Sequence, residues 1–284
     1  MDELPPPTEH ENADVAAHAR ALYLELMRRS LLDAIHLHPE LIPVQPKGRL
    51  KKSVASLVER RGMKLVRQRH INPEKRAAGK DWPYYAHTMI GVERLRNIQT
   101  CVEDVIRSEV PGDLIETGVW RGGAVIFMRA VLMAHDISDR TVWVADSFRG
   151  LPPPDAERYP ADAGANLHEY EELAVPLEEV RDNFDRYGLL DDQVKFLEGW
   201  FRDTLPTAPI EQLAVMRLDG DNYESQWDAL ASLYPKLSTG GYVIIDDYQL
   251  IDACRAAVDD FRRENDVSDE LEMVDWNAVF WRKR

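Results

Sequence analysis

Two short apolar segments of the sequence each end in carboxylates. Residues 213–218 form one apolar run, which is followed by Asp-Gly-Asp at 219–221, and residues 242–245 form the other, which is followed by Asp-Asp at 246–247. A helix-like stretch at about 223–237 separates them. This pattern predicts two parallel strands joined by a crossover helix, with both groups of carboxylates at the same carboxyl edge of one sheet. Ligands bind at that edge in open α/β sheets.

Converging carboxylates need a countercharge. Two charges about 4 Å apart interact by about 4 kcal/mol at an effective dielectric near 20, so ionised and unpaired Asp219, Asp246 and Asp247 would repel strongly. Either some of them are protonated or a cation lies among them. Oxygen ligands without His or Cys favour a hard ion, and we predict Mg²⁺ on these three residues, with Mn²⁺ or Ca²⁺ as the alternatives. The alternative is that acidic strand ends only cap helices, which is the role we expect of Asp221.

A glycine-containing turn follows an earlier predicted strand. Residues 116–123 read Glu-Thr-Gly-Val-Trp-Arg-Gly-Gly and pass directly into a predicted helix. Gly118 can turn the chain sharply, and the two later glycines permit close approach to the strand and to a ligand. The turn lacks G-x-G-x-x-G, and no Lys-Ser/Thr follows it, which disfavours a nicotinamide or ATP cofactor. Glu116 and Asp146, the latter at the end of the next predicted strand, suit a ligand rich in hydroxyls and amines, such as S-adenosylmethionine.

A Mg²⁺ ion beside a methyl donor has a specific use. It can hold two neighbouring hydroxyls of a substrate and lower the pKa of one, which then attacks the sulfonium methyl in line. A nearby carboxylate can take the proton as general base. Asp219 is best placed for this double role.

Strands and helices alternate from Asp113 onwards. Alternation of this kind predicts a doubly wound, mostly parallel sheet with helices on both faces. A terminal hairpin at 271–282 adds an antiparallel strand, and the irregular segment 149–175 is expected to form a lid. We divide the chain into a helical, basic extension at 1–82, which assists oligomerisation or covers the active site, and a catalytic domain at 83–284. The predicted strands are 113–117, 141–146, 194–197, 213–218 and 242–245, and the predicted helices are 14–35, 87–107, 122–135, 176–187, 223–237 and 251–264.

Charge is distributed unevenly along the 284 residues. The net charge is −15, yet residues 47–80 carry 12 Lys and Arg against two Glu. An acidic chain disfavours nucleic-acid binding. The basic stretch is expected to be a solvated helix, although it could contact an acidic substrate or partner. Its expected apolar face consists of Leu50, Val54, Leu57 and Val58.

Membrane and disulfide signals are weak. The sequence has no apolar run of about 18 residues, and its start is acidic and proline-rich, so we expect a cytoplasmic protein without a membrane span. The two cysteines, Cys101 and Cys254, are far apart and are expected to be reduced and structural.

Taken together, these segments resemble the macrocin O-methyltransferase family, bacterial enzymes that methylate sugar hydroxyls on antibiotics. The resemblance covers most of 82–284 and also 23–35. It rests on residues 85–91 (Tyr-Ala-His-Thr-Met-Ile-Gly), 113–123 (Asp-Leu-Ile-Glu-Thr-Gly-Val-Trp-Arg-Gly-Gly), 144–148 (Val-Ala-Asp-Ser-Phe), 187–193 (Tyr-Gly-Leu-Leu-Asp-Asp-Gln), 199–201 (Gly-Trp-Phe), 218–221 (Leu-Asp-Gly-Asp) and 245–248 (Ile-Asp-Asp-Tyr).

The resemblance implies a class I methyltransferase fold, S-adenosylmethionine as donor, and Mg²⁺ on Asp219, Asp246 and Asp247, with Asp219 as base. It also implies a homo-oligomer, a dimer or higher. Residues 38–80 are longer and more basic than the family leads us to expect. The residues implied to contact the donor are Thr88, Met89, Glu116, Thr117, Gly118, Val119, Trp120, Asp146, Ser147, Gly199 and Trp200.

The expected function is Mg²⁺-dependent O-methylation of a sugar hydroxyl on a glycosylated secondary metabolite of antibiotic biosynthesis. One alternative acceptor is a catechol-like phenol, which also offers two adjacent oxygens to a metal. A second alternative is a cofactor-binding protein without turnover, in which the acidic strand ends are structural. A nicotinamide oxidoreductase is the third.

Overall fold

A seven-stranded sheet forms the centre of the protein in the computed structural model, which describes residues 9–36, 38–44, 48 and 55–284. The strands are β1 (Glu40–Pro43), β2 (Val66–Arg69), β3 (Asp113–Thr117), β4 (Val142–Asp146), β5 (Val194–Glu198), β6 (Leu213–Leu218), β7 (Leu237–Ile245), β8 (Glu272–Met273) and β9 (Val279–Arg282). The helices are α1 (Glu9–Leu31), α2 (Pro73–Ala77), α3 (Gly91–Arg107), α4 (Gly123–Ala134), α5 (Leu177–Arg186), α6 (Phe201–Thr204), α7 (Tyr223–Leu233) and α8 (Asp252–Glu264).

The sheet has the order β5-β4-β3-β6-β7-β9-β8, and the first five strands in this order are parallel. β9 pairs with β7 in the antiparallel sense, and β8 pairs with β9. The chain adds β4 and β5 on one side of β3 and then adds β6 on the other side. Ligands of open α/β sheets bind at such a reversal of strand order. The predicted parallel sheet with a terminal antiparallel hairpin is confirmed.

Helices cover both faces of the sheet. Successive residues of a strand point to opposite faces, and Leu114 accordingly belongs to one apolar cluster while Ile115 belongs to the other. Helices α1, α3, α4 and α5 contribute to the first cluster, and α7 and α8 to the second. Helix α4 is buried along most of its length because it lies under α1, whose Leu24 and Leu31 are fully buried.

Most predicted elements agree with the structure to within one residue, with four larger differences. Strand β7 begins at Leu237, five residues before its predicted start, and helix α7 ends at Leu233, four residues before its predicted end. Helix α1 begins at Glu9 and ends at Leu31, earlier than predicted at both ends. Helix α3 begins at Gly91 instead of His87. Gly91 has a φ of +77°, which a continuous right-handed helix does not permit, so residues 85–90 form an irregular segment.

The basic extension is more ordered than the sequence suggests. Leu50 and Val54, half of the expected apolar face, lie outside the described residues. In the described part, the prediction of one solvated helix holds only for a short helical segment at 55–59, since β2 then pairs with β1 and α2 follows. Within this extension, Arg76 and Glu40 form a buried ion pair of 3.0 Å, and Arg76 also donates to the carbonyl of Leu32 at 2.9 Å. These contacts join the later part of the extension, residues 40–77, to the end of α1.

The two cysteines are buried and free, as predicted, with Cys101 in α3 and Cys254 in α8. Burial raises the pKa of the Cys254 thiol well above its usual value. Such thiols are inert. Within the described ranges, no helix combines the length and the apolarity needed to cross a bilayer.

The buried pair of Glu40 and Arg76 predicts a large stability effect. Glu40→Ala should lower the free energy of unfolding by about 3 kcal/mol, because Arg76 would stay buried without this carboxylate. Urea unfolding followed by circular dichroism measures the change. Glu93→Ala is the control, since it removes an exposed ion pair with Arg96 and should cost about 1 kcal/mol or less. Equal losses in the two variants would contradict the role of Glu40.

Candidate active site

Both groups of carboxylates meet at the carboxyl edge of the sheet. The ladder of main-chain hydrogen bonds continues past the strand ends: the N–H of Asp219 donates to Thr117 at 2.9 Å, and that of Asp246 donates to Leu218 at 3.1 Å. One carboxylate oxygen each from Asp219, Asp221 and Asp247 lies within 4.8 Å of the others. Carboxylate oxygens are the type of donor that hard divalent cations take.

Asp246 differs from its neighbours in its contacts. Its two oxygens accept hydrogen bonds from Arg217 and from Arg94, the latter at 2.6 Å. Burial opposes ionisation, but the two guanidinium groups hold the pKa of Asp246 below its usual value. Each carboxylate oxygen has a second lone pair, so these contacts leave Asp246 able to ligate a cation as well. The ligand set of Asp219, Asp246 and Asp247 stays a prediction, and Asp221 lies closer to the cluster than expected.

Arg217 occupies the centre of this arrangement and is not among the residues that the motifs single out. Its side chain, only 1% exposed, donates to Glu116, to Asp246 and, at 3.1 Å, to Asp219. Burial lowers the pKa of a guanidinium, but the surrounding carboxylates raise that of Arg217 above its usual value. The sequence does contain a signal, because an arginine within the apolar run at 213–218 requires a buried partner.

Burial raises the pKa of the other carboxylates of the site. Burial and the nearby charges of Asp246 and Asp247 raise the pKa of Asp219 well above its usual value, and burial with Asp246 and Asp221 does the same for Asp247. Burial and the charge of Asp219 raise the pKa of Asp221 to about 7. For Glu116 burial is also the main cause, and its pKa is raised to about 8. A cation bound among these groups would favour their ionised forms.

The prediction that Asp221 caps the next helix is wrong. The first free N–H groups of α7, those of Tyr223 and Glu224, donate to the carboxylate of Asp162 at 2.6 and 3.1 Å. Asp162 is fully buried and comes from the segment 149–175. Asp221 itself has a φ of +56°, a conformation that is uncommon outside glycine, and its carboxylate joins the acidic cluster.

The glycine turn permits close approach of other parts of the chain. Gly118 has a φ of +78°, and a Cβ atom there would lie 1.9 Å from the carbonyl oxygen of Asp219. The N–H of Gly123 donates to the carbonyl of His87 at 2.9 Å, and a Cβ atom at Gly123 would lie 2.4 Å from that oxygen. The glycines therefore bring the acidic strand end and the irregular segment 85–90 against the turn.

A cavity of about 300 Å³ lies between the turn, the acidic cluster and the segment 149–175. Thr117 is the only expected donor contact that does not line it; its side chain is buried, because successive residues of β3 point to opposite faces and Glu116 points to the cavity. The expected residues that do line the cavity are Thr88, Met89, Glu116, Gly118, Val119, Trp120, Asp146, Ser147, Gly199 and Trp200.

Asp146 fixes the turn as well as lining the cavity. Its carboxylate accepts from the N–H of Val119 at 2.7 Å and from that of Phe148 at 2.7 Å. The carboxylate also lines the cavity, where it can accept from a ligand hydroxyl. The remaining polar atom of interest is Oε2 of Glu116, which is buried and has no hydrogen-bond partner among the described residues.

A model of the macrocin O-methyltransferase (TylF) family matches residues 20–283, nearly all of the chain. The chain belongs to the macrocin O-methyltransferase family. It is therefore an S-adenosylmethionine-dependent O-methyltransferase, as the resemblance implies.

Relatives of this methyltransferase span most of its length. The demethyldecarbamoylnovobiocin O-methyltransferase of Streptomyces niveus is 59% identical over 211 residues, which are 74% of this chain and 80% of that protein. The 8-demethyl-8-(2,3-dimethoxy-alpha-L-rhamnosyl)-tetracenomycin-C 4'-O-methyltransferase of Streptomyces olivaceus is 52% identical over 265 residues, 93% of each chain. The solved structure of the O-methyltransferase NovP has a TM-score of 0.81 at 50% identity and covers 93% of this chain and 99% of that one. The predicted class I methyltransferase fold is confirmed.

The segment 149–175 of the methyltransferase covers the cavity. It contains short 3₁₀ turns, and Leu151, Leu167 and Leu173 from this segment line the cavity. The indole N–H of Trp120 donates to the carbonyl of Glu172 at 2.9 Å, which joins the segment to the glycine turn. This placement is the one expected of a lid.

Gly118→Ala tests the turn of the methyltransferase. The new methyl group would overlap the Asp219 carbonyl, so affinity for S-adenosylhomocysteine should fall by about 100-fold, a loss of about 2.7 kcal/mol. Calorimetric titration measures the affinity. Gly188→Ala is a matched control, because Gly188 also has a positive φ but has open space where a Cβ would stand. Similar affinities in both variants would contradict the steric argument.

Proposed function

We propose that the methyltransferase transfers the methyl group of S-adenosylmethionine to a sugar hydroxyl of a glycosylated secondary metabolite in antibiotic biosynthesis, using Mg²⁺ bound by Asp219, Asp246 and Asp247. The observation that carries the proposal is the acidic cluster at the edge of the cavity formed by the glycine turn. The name of the Streptomyces olivaceus relative includes a rhamnosyl group. L-Rhamnosides are therefore suitable first acceptors for testing this chain.

The donor would occupy the cavity between the glycine turn and the lid. Glu116 offers a buried oxygen without a partner among the described residues, which suits the amino group of the donor. Asp146 lines the cavity and would accept from the ribose hydroxyls, as predicted from its place at the end of β4. Together, the walls around the donor exclude water from the sulfonium methyl and fix its direction toward the acidic cluster.

Mg²⁺, when bound, would lower the pKa of the coordinated sugar hydroxyl. Asp219 is our predicted base, and Asp221 is a second candidate for this role. Asp219 accepts a hydrogen bond from Arg217, whereas no arginine bonds Asp221 in the part of the chain that the structure covers. Asp221 is therefore better suited to accept a proton. The hydrogen bond from Arg217 orients the carboxylate of Asp219, which suits it to serve as a metal ligand.

Asparagine variants separate these roles. Asp219→Asn and Asp247→Asn should weaken Mg²⁺ binding by about 10-fold or more and lower kcat by about 100-fold, since each removes an anionic oxygen from the ion. Asp221→Asn should lower kcat by about 100-fold with little change in Mg²⁺ affinity if Asp221 is the base. Methyl transfer after treatment with EDTA, with and without restored Mg²⁺, completes the measurement.

The control for these variants is Asp252→Asn, an exposed aspartate at the start of α8. It should leave both Mg²⁺ affinity and kcat unchanged. Full activity of Asp219→Asn would show that the metal and base assignments are wrong. Full activity of the protein after metal removal would show that no divalent cation takes part.

We also propose that the methyltransferase is a homo-oligomer through its extension, residues 1–82. Helix α1 packs Leu24 and Leu31 against the core, while Val15, Leu22 and Leu26 form an exposed apolar stripe on the opposite side. A helix that is apolar on both sides requires a second partner. Because the family resemblance implies a homo-oligomer, a second copy of the chain is the partner that we propose for this stripe.

The double variant Leu22→Glu with Leu26→Glu tests this surface. Two charges within the apolar stripe should prevent association, so light scattering coupled to size exclusion should give the mass of a single chain where the unmodified protein gives a multiple. Met273→Glu places a charge at an exposed methionine outside the stripe and should leave the mass unchanged. A single-chain mass for the unmodified protein would contradict the proposal.

A catechol-like phenol is the second candidate acceptor. The indole rings of Trp82 and Trp276 line the cavity, and an aromatic wall favours a planar ligand. Parallel assays with a catechol and with L-rhamnosides as acceptors distinguish the two classes. Methylation of the catechol alone would overturn the sugar assignment while leaving the donor and metal sites intact.

A further inference from the structure

The cavity wall includes apolar side chains that are unusually exposed to solvent. Leu250 is 62% exposed, Trp82 is 39% exposed and Trp276 is 37% exposed, and all three line the cavity. They come from three separate segments of the chain: the end of the extension, the loop after β7 and the turn between β8 and β9. Exposed apolar surface of this kind marks binding sites more often than it serves folding.

Two of these residues are tied to the acidic cluster. Asn277 is buried, and its side-chain amide donates to the carboxylate of Asp247 at 2.7 Å. The same side chain accepts from the N–H of Leu250 at 2.7 Å, and Asn277 directly follows Trp276 in the chain. An acceptor whose hydroxyl reaches Asp247 therefore has Leu250 and Trp276 close to the part of the molecule that carries this hydroxyl.

The ring of Trp276 is held in one orientation by contacts within the protein. Its indole N–H donates to the carbonyl of Ala78 at 2.8 Å. The Arg94 guanidinium carbon and the Lys80 amino group lie 5.5 and 4.9 Å from the ring centroid. Asp275 accepts from Arg94 at 2.9 Å and fixes the turn that carries the ring. A rigid ring loses little conformational entropy on binding, which favours affinity.

The wall changes character from the acids outward. Next to the acidic cluster, Arg94, which bonds Asp246, and Asn277, which bonds Asp247, supply polar atoms suited to a sugar. Farther along the wall, Trp82 stacks on Tyr170 of the lid at a ring-centroid distance of 5.9 Å. The polar part fits the hydroxyl-bearing portion of an acceptor, and the apolar part fits a portion without hydroxyls.

We propose that Leu250, Trp276 and Trp82 form an aglycone subsite, which binds an apolar, ring-containing group attached to the methylated sugar and selects acceptors by that group. This inference rests on the proposed function, because it takes the sugar hydroxyl to lie at the acidic cluster. Aromatic and aliphatic side chains held on the wall of a cavity gain most from a rigid ring system, which buries area at low entropic cost. The subsite contacts the acceptor away from the reacting atoms, so its effect is to increase the affinity of the protein for the acceptor.

The test compares methyl α-L-rhamnopyranoside with 4-methylumbelliferyl α-L-rhamnopyranoside, which share one sugar and differ in the aglycone. Calorimetry with the full chain, loaded with S-adenosylhomocysteine and Mg²⁺, gives the dissociation constants. The aryl glycoside should bind about 10-fold more tightly than the methyl glycoside or better, which corresponds to about 1.4 kcal/mol. A protein that binds the two equally, or that does not bind the aryl glycoside, overturns the proposal.

Leu250→Ala removes an exposed side chain that has no hydrogen-bonding group, so folding should be unaffected. It should reduce the aryl preference to about 3-fold or less while the affinity for the methyl glycoside stays the same. Trp276→Phe keeps a ring but loses the bond to Ala78, and it should give an intermediate preference. Met273→Ala is the matched control, since Met273 is exposed on β8 and is not part of the cavity wall, and it should keep the full preference.

The outcomes separate this inference from the proposed function. If the inference fails, the protein methylates glycosides but Leu250→Ala and Trp276→Phe leave the aryl preference unchanged. If the variants lower the affinity for both glycosides equally, the residues have only a structural role, and the inference also fails. If the proposed function fails, no methyl transfer to glycosides occurs even though S-adenosylhomocysteine binds and the aryl preference depends on Leu250.

Discussion

The buried guanidinium of Arg217 is the interaction on which the rest of the site depends. It comes from the central strand β6 and bonds Glu116 of β3, Asp219 at its own strand end and Asp246 at the end of β7. With Arg94 it supplies two positive charges to a region that holds six carboxylates, those of Glu116 and of Asp219, Asp221, Asp246, Asp247 and Asp275. Buried charge without compensation is costly, so the remaining carboxylates either keep their protons or receive a cation.

Three residues at the same edge of the sheet adopt an uncommon backbone conformation. Trp120, Phe148 and Asp221 all have positive φ values, and each follows the end of a parallel strand by a few residues. Non-glycine residues in this region cost about 1 to 3 kcal/mol each and persist only where the surroundings enforce them. Here the enforcing contacts are those of the site itself, such as the N–H groups of Val119, Trp120 and Phe148, which face the carboxylate of Asp146. The free-energy cost of these turns is thus offset by favourable packing in the rest of the fold.

The sequence predicts the sheet well because apolar runs and glycine turns are local signals. It also places the acids correctly, since parallel strands end at a common edge. Contacts between distant residues are what it misses. In the sequence, Arg76 resembles the many other cations of its segment, and only the structure shows its ion pair with Glu40. Asp221 is predicted to cap α7 because the residue that does so, Asp162, lies about sixty residues away in the chain. Arg217 is visible only as a charge within an apolar strand, a sign that partners exist without showing which.

The bond between Asp162 and the start of α7 has a consequence for ligand exchange. A helix that loses its capping carboxylate becomes less stable by about 1 kcal/mol. Asp162 is part of the lid, so lifting the lid would leave the first N–H groups of α7 without their hydrogen-bond acceptor. Helix α7 begins two residues after Asp221. Any movement of the lid that admits the donor would therefore also loosen the end of a helix that lies beside the acids.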